Sequence, residues 1–95
     1  MFFRRISGNS MLPLFKHGGI VICFDKRPKI GDVVVATIDD KEVIKRVDQL
    51  TDKKVYLIGD NQASSTDSRT YGYISKQSIV GVVIFYMNLP FLRNK

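Results

Sequence analysis

Short runs of β-branched and aromatic residues recur along this chain, and they constrain its fold more than any other feature of the sequence. Turn-forming residues separate the runs, which is the pattern of strands joined by short connections. Helical periodicity is confined to short turns, which we expect after Pro13 and around 75–78. The runs are residues 20–24, 33–38, 43–47, 55–58 and 79–86. The sequence therefore predicts an all-β fold, either a small partly closed barrel or two packed antiparallel sheets.

The size and the charge of the chain limit what such a fold can do. Its 95 residues are enough for one domain, which we expect to span positions 1–95. Lys and Arg outnumber Asp and Glu by 15 to 9, which gives a formal net charge of +6. The basic residues are scattered instead of forming one run, so the sequence predicts no nucleic-acid partner.

The residues that bind metals are scarce in this sequence. Cys23 is the only cysteine and His17 is the only histidine. A single cysteine excludes an internal disulfide and the cysteine-rich zinc sites, which need several thiolate or imidazole ligands. We therefore expect no metal and no cofactor.

The two ends of the chain bear on membrane association. Too few residues precede Ser7 for the apolar region of a signal peptide. Residues 79–92 are mostly apolar, but Asn88 and Pro90 interrupt them and the stretch is shorter than a membrane span requires. We expect a cytoplasmic protein without a transmembrane segment, whose C-terminal tail either packs locally or contacts a lipid surface or a partner.

One candidate for chemistry is a serine in a glycine-containing turn near the N-terminus. Gly8 allows a sharp turn that would present Ser10 with its own N–H pointing the same way, as an oxyanion site requires. Pro13 then fixes the direction in which the chain leaves the turn. The alternative is that Ser10 only forms a turn or caps a helix.

A second candidate is a lysine within an apolar strand. Alternation along the strand places Val43, Lys45 and Val47 on one face, with Ile44 and Arg46 on the other. The ordinary explanation is an edge strand whose lysine extends to water. The functional explanation is that burial lowers the pKa of the amine from about 10.4 toward neutrality, which turns Lys45 into a base for a serine hydroxyl.

The polar stretch 59–72 is longer than a simple hairpin connection needs. It is either a solvated surface loop or a scaffold for the candidate site. In the second case Asp67 and Arg69 would brace the loop, while the hydroxyl of Ser65 would orient the amine of Lys45.

Taken in order, these segments resemble the signal peptidase I family of Ser–Lys proteases. No single segment is decisive, but their order along residues 6–84 covers nearly the whole chain. The matching segments are Ser10-Met11-Leu12-Pro13, Gly31-Asp32-Val33-Val34-Val35, Lys45-Arg46-Val47, Gly59-Asp60-Asn61, Ser65-Thr66-Asp67-Ser68-Arg69 and Gly72.

The resemblance implies a serine endopeptidase and assigns a role to each matching residue. Ser10 would be the nucleophile, Lys45 the general base and Ser65 the hydroxyl that orients it. Asp67 and Arg69 would form a structural pair that supports the site.

The resemblance also bears on the oxyanion hole and on the substrate pocket. The backbone N–H of Ser10 would supply one donor, while some family members supply the second from a serine at the position that is Gly8 here. Ser7 is displaced from that position and receives no role. Met11 and Leu12 are candidate walls of the substrate pocket.

The substrate implied by the resemblance is a protein precursor with an extended leader or propeptide. The short segment between Lys45 and Gly59 makes the chain similar to the soluble members that mature nickel-type superoxide dismutase by removing a leader. Three alternatives are a membrane-associated signal peptidase, a LexA-type self-cleaving repressor, and a β-rich interaction module without catalysis. The LexA type is disfavoured because the sequence contains no helix-turn-helix.

Overall fold

A computed structural model describes residues 1–8, 10–12, 14–61 and 68–88. Seven strands, one short helix and one 3-10 turn make up its regular structure. In chain order they are β1 Phe2–Arg5, β2 Ile20–Phe24, β3 Val33–Ile38, β4 Lys41–Leu50, β5 Lys54–Ile58, α1 Ser68–Tyr71, β6 Ile74–Ser75, the 3-10 turn Lys76–Ser78 and β7 Ile79–Met87.

The strands form one antiparallel sheet in the order β1-β2-β7-β3-β4-β5-β6. The all-β class is therefore confirmed. Within the part of the chain that the structure describes, the strands belong to a single sheet that does not close, with β1 and β6 at its ends. This arrangement differs from two separate packed sheets because β7 and β3 join the two halves by hydrogen bonds.

All five predicted runs are strands, and β2 and β3 have the predicted bounds. The predicted turn at 75–78 is the 3-10 turn Lys76–Ser78. The turn expected after Pro13 begins two residues earlier, because the N–H of Phe15 donates to the carbonyl of Met11 at 3.1 Å. β1 and β6 were not predicted, since one consists of two phenylalanines followed by two arginines and the other has only two residues.

The central strand β3 is buried on both of its faces. Val33 and Val35 belong to one core cluster, whereas Val34 and Ala36 belong to a second cluster on the opposite face. This alternation explains why β3 reads as a continuous apolar run instead of an alternating one. The sheet therefore has a core on each side, although the domain is small.

The loop between β1 and β2 contributes directly to the first cluster. Met11 and Phe15 are 3% and 1% exposed, and both pack with Val21 and Cys23 of β2. Burial raises the pKa of the Cys23 thiol above its ordinary value, so this cysteine is a core residue. The segment that carries Ser10 is thus held by large apolar side chains on the sheet.

Within the described ranges, no helix has the length and apolar character needed to cross a membrane. The C-terminal tail beyond residue 88, on which the predicted lipid or partner contact falls, lies outside the described residues. β7 itself ends with exposed side chains, including Phe85 and Met87.

Deleting two methyl groups from the centre of the sheet tests the importance of β3. Val34 is 0% exposed, so Val34→Ala is expected to lower the free energy of unfolding by about 2 kcal/mol through lost burial and a residual cavity. Thr37→Ala, at an exposed position of the same strand, is the control and should cost less than about 1 kcal/mol. Urea denaturation of both variants measures the difference, and equal losses would contradict the described core.

Candidate active site

Lys45 lies in the middle of β4, an interior strand that pairs with β3 on one side and β5 on the other. Its side chain is only 4% exposed. The same-face neighbours Val43 and Val47 contact the second core cluster, whereas Ile44 packs against the first. An edge-strand lysine that extends to water is therefore excluded, because the side chain is buried, although the ladder to β5 begins only at the next residue, Arg46.

Ser10 lies in the turn region between β1 and β2 and is half-buried. Its carbonyl accepts a hydrogen bond of 2.7 Å from the N–H of Asn61, which follows β5. The adjacent N–H of Asp60 approaches the sulfur of Met11 at 3.5 Å. Asn61 therefore holds the main chain of Ser10, and Asp60 contacts the side chain of the next residue, Met11.

Ser10 and Lys45 line the same cavity, which has a volume of about 150 Å³. This is room for a single side chain of moderate size. The full lining is Arg4, Arg5, Ser7, Ser10, Val35, Glu42, Val43, Ile44 and Lys45. The fold therefore brings together a serine and a buried lysine that are far apart in the sequence.

Ser7 is an addition to the residues predicted from sequence. It is exposed and lines the cavity with Ser10. Its spacing from Ser10 had given no reason to assign it a role. The fold brings Ser7 to the cavity, a position that the residue pattern alone did not indicate.

Gly8 has a backbone φ of +88°, a conformation that L side chains rarely adopt. Its N–H donates a 2.9 Å hydrogen bond to Nδ1 of His17, at the far end of the same loop. This bond engages the Gly8 donor and leaves the imidazole proton of neutral His17 on Nε2. His17 is thus a support of the serine loop, a role the sequence did not indicate.

Arg46, next to Lys45 in β4, links this strand to the residues that hold Ser10. Its guanidinium makes two hydrogen bonds of 2.8 and 2.7 Å to the carboxylate of Asp60 and a third of 2.8 Å to the carbonyl of Gly31. The carboxylate raises the pKa of Arg46 above its ordinary value. Because Asn61 follows Asp60, this pair indirectly couples the position of Ser10 to β4.

The two predicted pocket residues lie elsewhere. Met11 is in the first core cluster and Leu12 is half-buried, and neither lines the cavity that holds Ser10 and Lys45. The apolar part of the lining comes from Val35, Val43 and Ile44 instead. A substrate-binding role for Met11 and Leu12 stays a prediction.

Part of the predicted scaffold loop lies outside the described residues, namely Ser65 and Asp67. Arg69 is described, and its guanidinium donates to the carbonyl of Gly59 at 3.2 Å. The neighbouring Ser68 is 2% exposed, and its hydroxyl oxygen accepts a 2.9 Å hydrogen bond from the N–H of Leu57. Ser68 therefore anchors the end of the loop to β5, a role that the sequence analysis missed among several similar hydroxyls.

Among the described residues, no three His, Cys, Asp or Glu side chains lie close enough together to hold a metal ion. The polar residues that line the cavity are instead two serines, the buried Lys45, Arg5 and one pair of opposite charges, Arg4 and Glu42. These groups are suited to polar covalent catalysis by side chains.

Comparison with protein families matches residues 1–84 to the family described as Peptidase S24-like. This family belongs to the LexA and signal peptidase-like superfamily, so the superfamily indicated by the sequence motifs is confirmed. The closer assignment to signal peptidase I and to the superoxide dismutase maturation proteases is not confirmed. A comparison with curated proteins gives no match.

The coupling between β4 and the serine loop can be tested by removing one charge. Asp60→Asn should lower the free energy of unfolding by about 2 kcal/mol, because Arg46 loses two charge-assisted hydrogen bonds at a partly buried position. Glu42→Gln is the matched control, since its bidentate pair with Arg4 is more exposed and should contribute little. Thermal and urea unfolding measure both, and an Asp60→Asn variant as stable as Glu42→Gln would contradict the coupling.

Proposed function

Because the chain belongs to the Peptidase S24-like family, we propose that it is a serine endopeptidase in which Ser10 is the nucleophile and Lys45 is the general base. Family membership indicates the serine peptidase type of function, while the two residues and their roles are part of the proposal. One observation carries it: both residues line one cavity, and Lys45 is almost fully buried.

Burial is what makes a lysine useful as a base. An amine in a protein interior loses the hydration that stabilises its charged form, so its pKa falls below the usual value of about 10.4. Lys45 pairs with Val34 of β3, β5 joins β4 from Arg46 onward, and apolar side chains flank Lys45 on its own face. The proposal requires that enough of this amine is neutral near neutral pH to accept a proton.

In the acylation half of the proposed reaction, Ser10 Oγ attacks the carbonyl carbon of the scissile peptide bond. The hydroxyl proton passes to Nζ of Lys45 as the C–O bond forms, and the carbonyl oxygen becomes an oxyanion. Collapse of this tetrahedral intermediate breaks the C–N bond, and Lys45 returns the proton to the leaving amine. The product is an ester between Ser10 and the acyl part of the substrate.

In the deacylation half, water attacks the ester carbonyl and gives one proton to Nζ of Lys45. Collapse of the second tetrahedral intermediate breaks the bond to Ser10 Oγ, which recovers its proton from Lys45. The carboxylic acid product leaves, and both side chains return to their starting protonation states. The proposed cycle therefore needs only water besides the peptide.

The oxyanion needs donors that are already oriented before reaction. The N–H of Ser10 is the proposed first donor, and the bond from Asn61 to the Ser10 carbonyl helps to orient that peptide segment. The Gly8 N–H already donates to His17. Ser7, which lines the cavity, is the proposed source of the second donor.

The remaining assignments from the resemblance are retained as proposals. Ser65 would orient the amine of Lys45, and Asp67 with Arg69 would support the loop. The bond from Arg69 to the carbonyl of Gly59 supports a bracing role for the arginine. Ser65→Ala should reduce kcat more than it raises KM if Ser65 orients the base.

The proposed substrate is an extended and flexible peptide segment, such as the leader of a protein precursor. Residues Arg4 and Arg5 of β1 line the cavity, and β1 is at one end of the sheet. Such an end strand can pair with an added strand through main-chain hydrogen bonds. The finer proposal, a precursor of nickel-type superoxide dismutase, rests on the sequence resemblance alone.

Replacing each member of the dyad tests the proposal. Incubation with a library of unstructured peptides, followed by mass spectrometry, should reveal cleavage by the wild type. Ser10→Ala and Lys45→Met should each slow cleavage by about 100-fold or more, because one removes the nucleophile and the other the base. Lys41→Met, an exposed lysine on the same strand, is the matched control and should cleave normally; equal activity of all variants would disprove the dyad.

The pH dependence follows from the direction of the proposed shift in the pKa of Lys45. A lowered pKa means that kcat/KM rises with pH as the amine loses its proton in the folded enzyme. In the unfolded chain Lys45 has its ordinary, higher pKa, so between the two pKa values the unfolded chain binds more protons than the folded one. The free energy of unfolding therefore also rises with pH over this range. A pH–rate profile measures the rise in kcat/KM, and urea unfolding at several pH values measures the rise in stability. In Lys45→Met, neither kcat/KM nor the free energy of unfolding should rise with pH in this way.

A second candidate, a peptidase that contacts membranes peripherally, is favoured by an apolar outer face. The register places Phe3 beside Ile22 and Ile22 beside Phe85 across three adjacent strands. Phe3 is 68% exposed and Phe85 is 53% exposed. Exposed aromatic residues next to each other are typical of surfaces that bind lipid or protein.

Vesicle sedimentation tests this second candidate. The wild type should co-sediment with vesicles that contain an anionic lipid. Phe3→Ser/Phe85→Ser should bind at least about fivefold more weakly, because two exposed aromatic rings that would enter the lipid surface are lost. Ile30→Ser is the control, since Ile30 is also exposed but lies between β2 and β3. Wild-type protein that stays in the supernatant would exclude this candidate.

A further inference from the structure

The side chain of Asn88, the residue after β7, is bonded to the loop that carries Ser10. Its Oδ1 accepts a 3.0 Å hydrogen bond from the N–H of Lys16, and its Nδ2 donates to the carbonyl of Leu14 at 3.3 Å. An amide carries both a donor and an acceptor, so one side chain satisfies both main-chain groups. These two groups lie on either side of Phe15, and the Asn88 amide therefore binds this segment as a neighbouring strand would.

Phe15 is also held by β7 through its ring. Its side chain is 1% exposed, and the centre of its ring lies 4.8 Å from the centre of the Tyr86 ring. Tyr86 belongs to β7 and is two residues before Asn88. The C-terminal end of β7 therefore fixes Phe15 by its side chain and by the main chain before and after it.

The contacts of Phe15 continue to the candidate nucleophile. The N–H of Phe15 donates to the carbonyl of Met11 at 3.1 Å, and Met11 directly follows Ser10. On the other side, the carbonyl of Ser10 accepts the 2.7 Å bond from Asn61. Ser10 is thus held between the residues that follow β5 and a turn that Asn88 fixes from outside.

The close approach of the two segments depends on the absence of a side chain at residue 19. A Cβ atom added to Gly19 would lie 2.9 Å from the carbonyl oxygen of Met87 and 3.1 Å from Oδ1 of Asn88. The first distance is shorter than atoms in folded proteins tolerate, so a larger residue would push the end of β7 away. Gly19 therefore allows the Asn88 amide to reach the loop.

We propose that Asn88 is a positioning residue, which sets the place of Ser10 relative to Lys45 by holding residues 14–16. The inference rests on the proposed peptidase function and adds to it a residue outside the cavity lining. Asn88 acts through Phe15 and the turn that Phe15 closes. A nucleophile that is held in the geometry of attack reacts much faster than one that is displaced by even a small distance.

Two variants of Asn88 and one control separate positioning from stability. Asn88→Leu has a side chain of similar size and removes both hydrogen bonds. Asn88→Asp keeps an acceptor for the N–H of Lys16 and loses only the donor to the carbonyl of Leu14. Val55→Ala is the control, because Val55 is 0% exposed in β5 and lies outside the cavity lining, so its replacement lowers stability without touching the Asn88 contacts.

The kinetic measurement uses a peptide that the wild type cleaves, at a temperature where all variants are folded. Asn88→Leu should lower kcat at least about tenfold and change KM less than about twofold, because the cavity lining is intact. Asn88→Asp should lie between this variant and the wild type, and Val55→Ala should keep the wild-type kcat. A wild-type kcat in Asn88→Leu would overturn the positioning role alone, whereas cleavage that persists in Ser10→Ala would overturn the proposed function.

Amide hydrogen exchange tests the same role without turnover. The N–H groups of Asn61 and Phe15 bond to the main chain around Ser10, so their exchange rates report on this segment. Asn88→Leu should speed the exchange of both about tenfold relative to the N–H groups of β3, and Val55→Ala should leave this ratio unchanged. An unchanged ratio in Asn88→Leu would show that Asn88 does not hold the segment, and it would overturn the proposal.

Discussion

The buried amine of Lys45 is the feature on which the rest of the candidate site depends. An ammonium group in an apolar interior is costly unless it is paired or loses its proton. β4 keeps the side chain in this environment because it pairs with β3 at Lys45 and with β5 from Arg46 onward, and Val47 on the same face is 1% exposed. A lysine on a peripheral strand would remain hydrated and would be a poor base at neutral pH.

A base is useful only if the nucleophile is held next to it, and the structure achieves this through contacts between distant segments. Arg46 binds Asp60, and Asn61 binds the carbonyl of Ser10. Met11, the residue after Ser10, packs in the first core cluster. The strand with the proposed base and the loop with the proposed nucleophile are therefore connected by consecutive residues after β5, and the outer Arg4–Glu42 pair frames the cavity between them.

Local patterns in the sequence predicted five of the seven strands and the face on which Lys45 lies, because alternation and β-branched runs are properties of neighbouring residues. Whether Lys45 is buried depends on which strands flank β4, and alternation alone left that open. The pairs Arg46–Asp60 and Arg4–Glu42, and the bond from Gly8 to His17, join segments that only the folded chain brings together. The order of the motifs indicated the right superfamily, but the closer resemblance to signal peptidase I does not coincide with the family that matches.

The most direct test of this account is the titration of Lys45 itself, followed by nuclear magnetic resonance of protein labelled with ¹³C and ¹⁵N at lysine side chains. Lys45→Met assigns the resonance. The account predicts that Lys45 titrates well below the usual lysine pKa of about 10.4. A Lys45 side chain that titrates near that usual value would show that the amine is not a base at neutral pH, and it would contradict the proposed dyad.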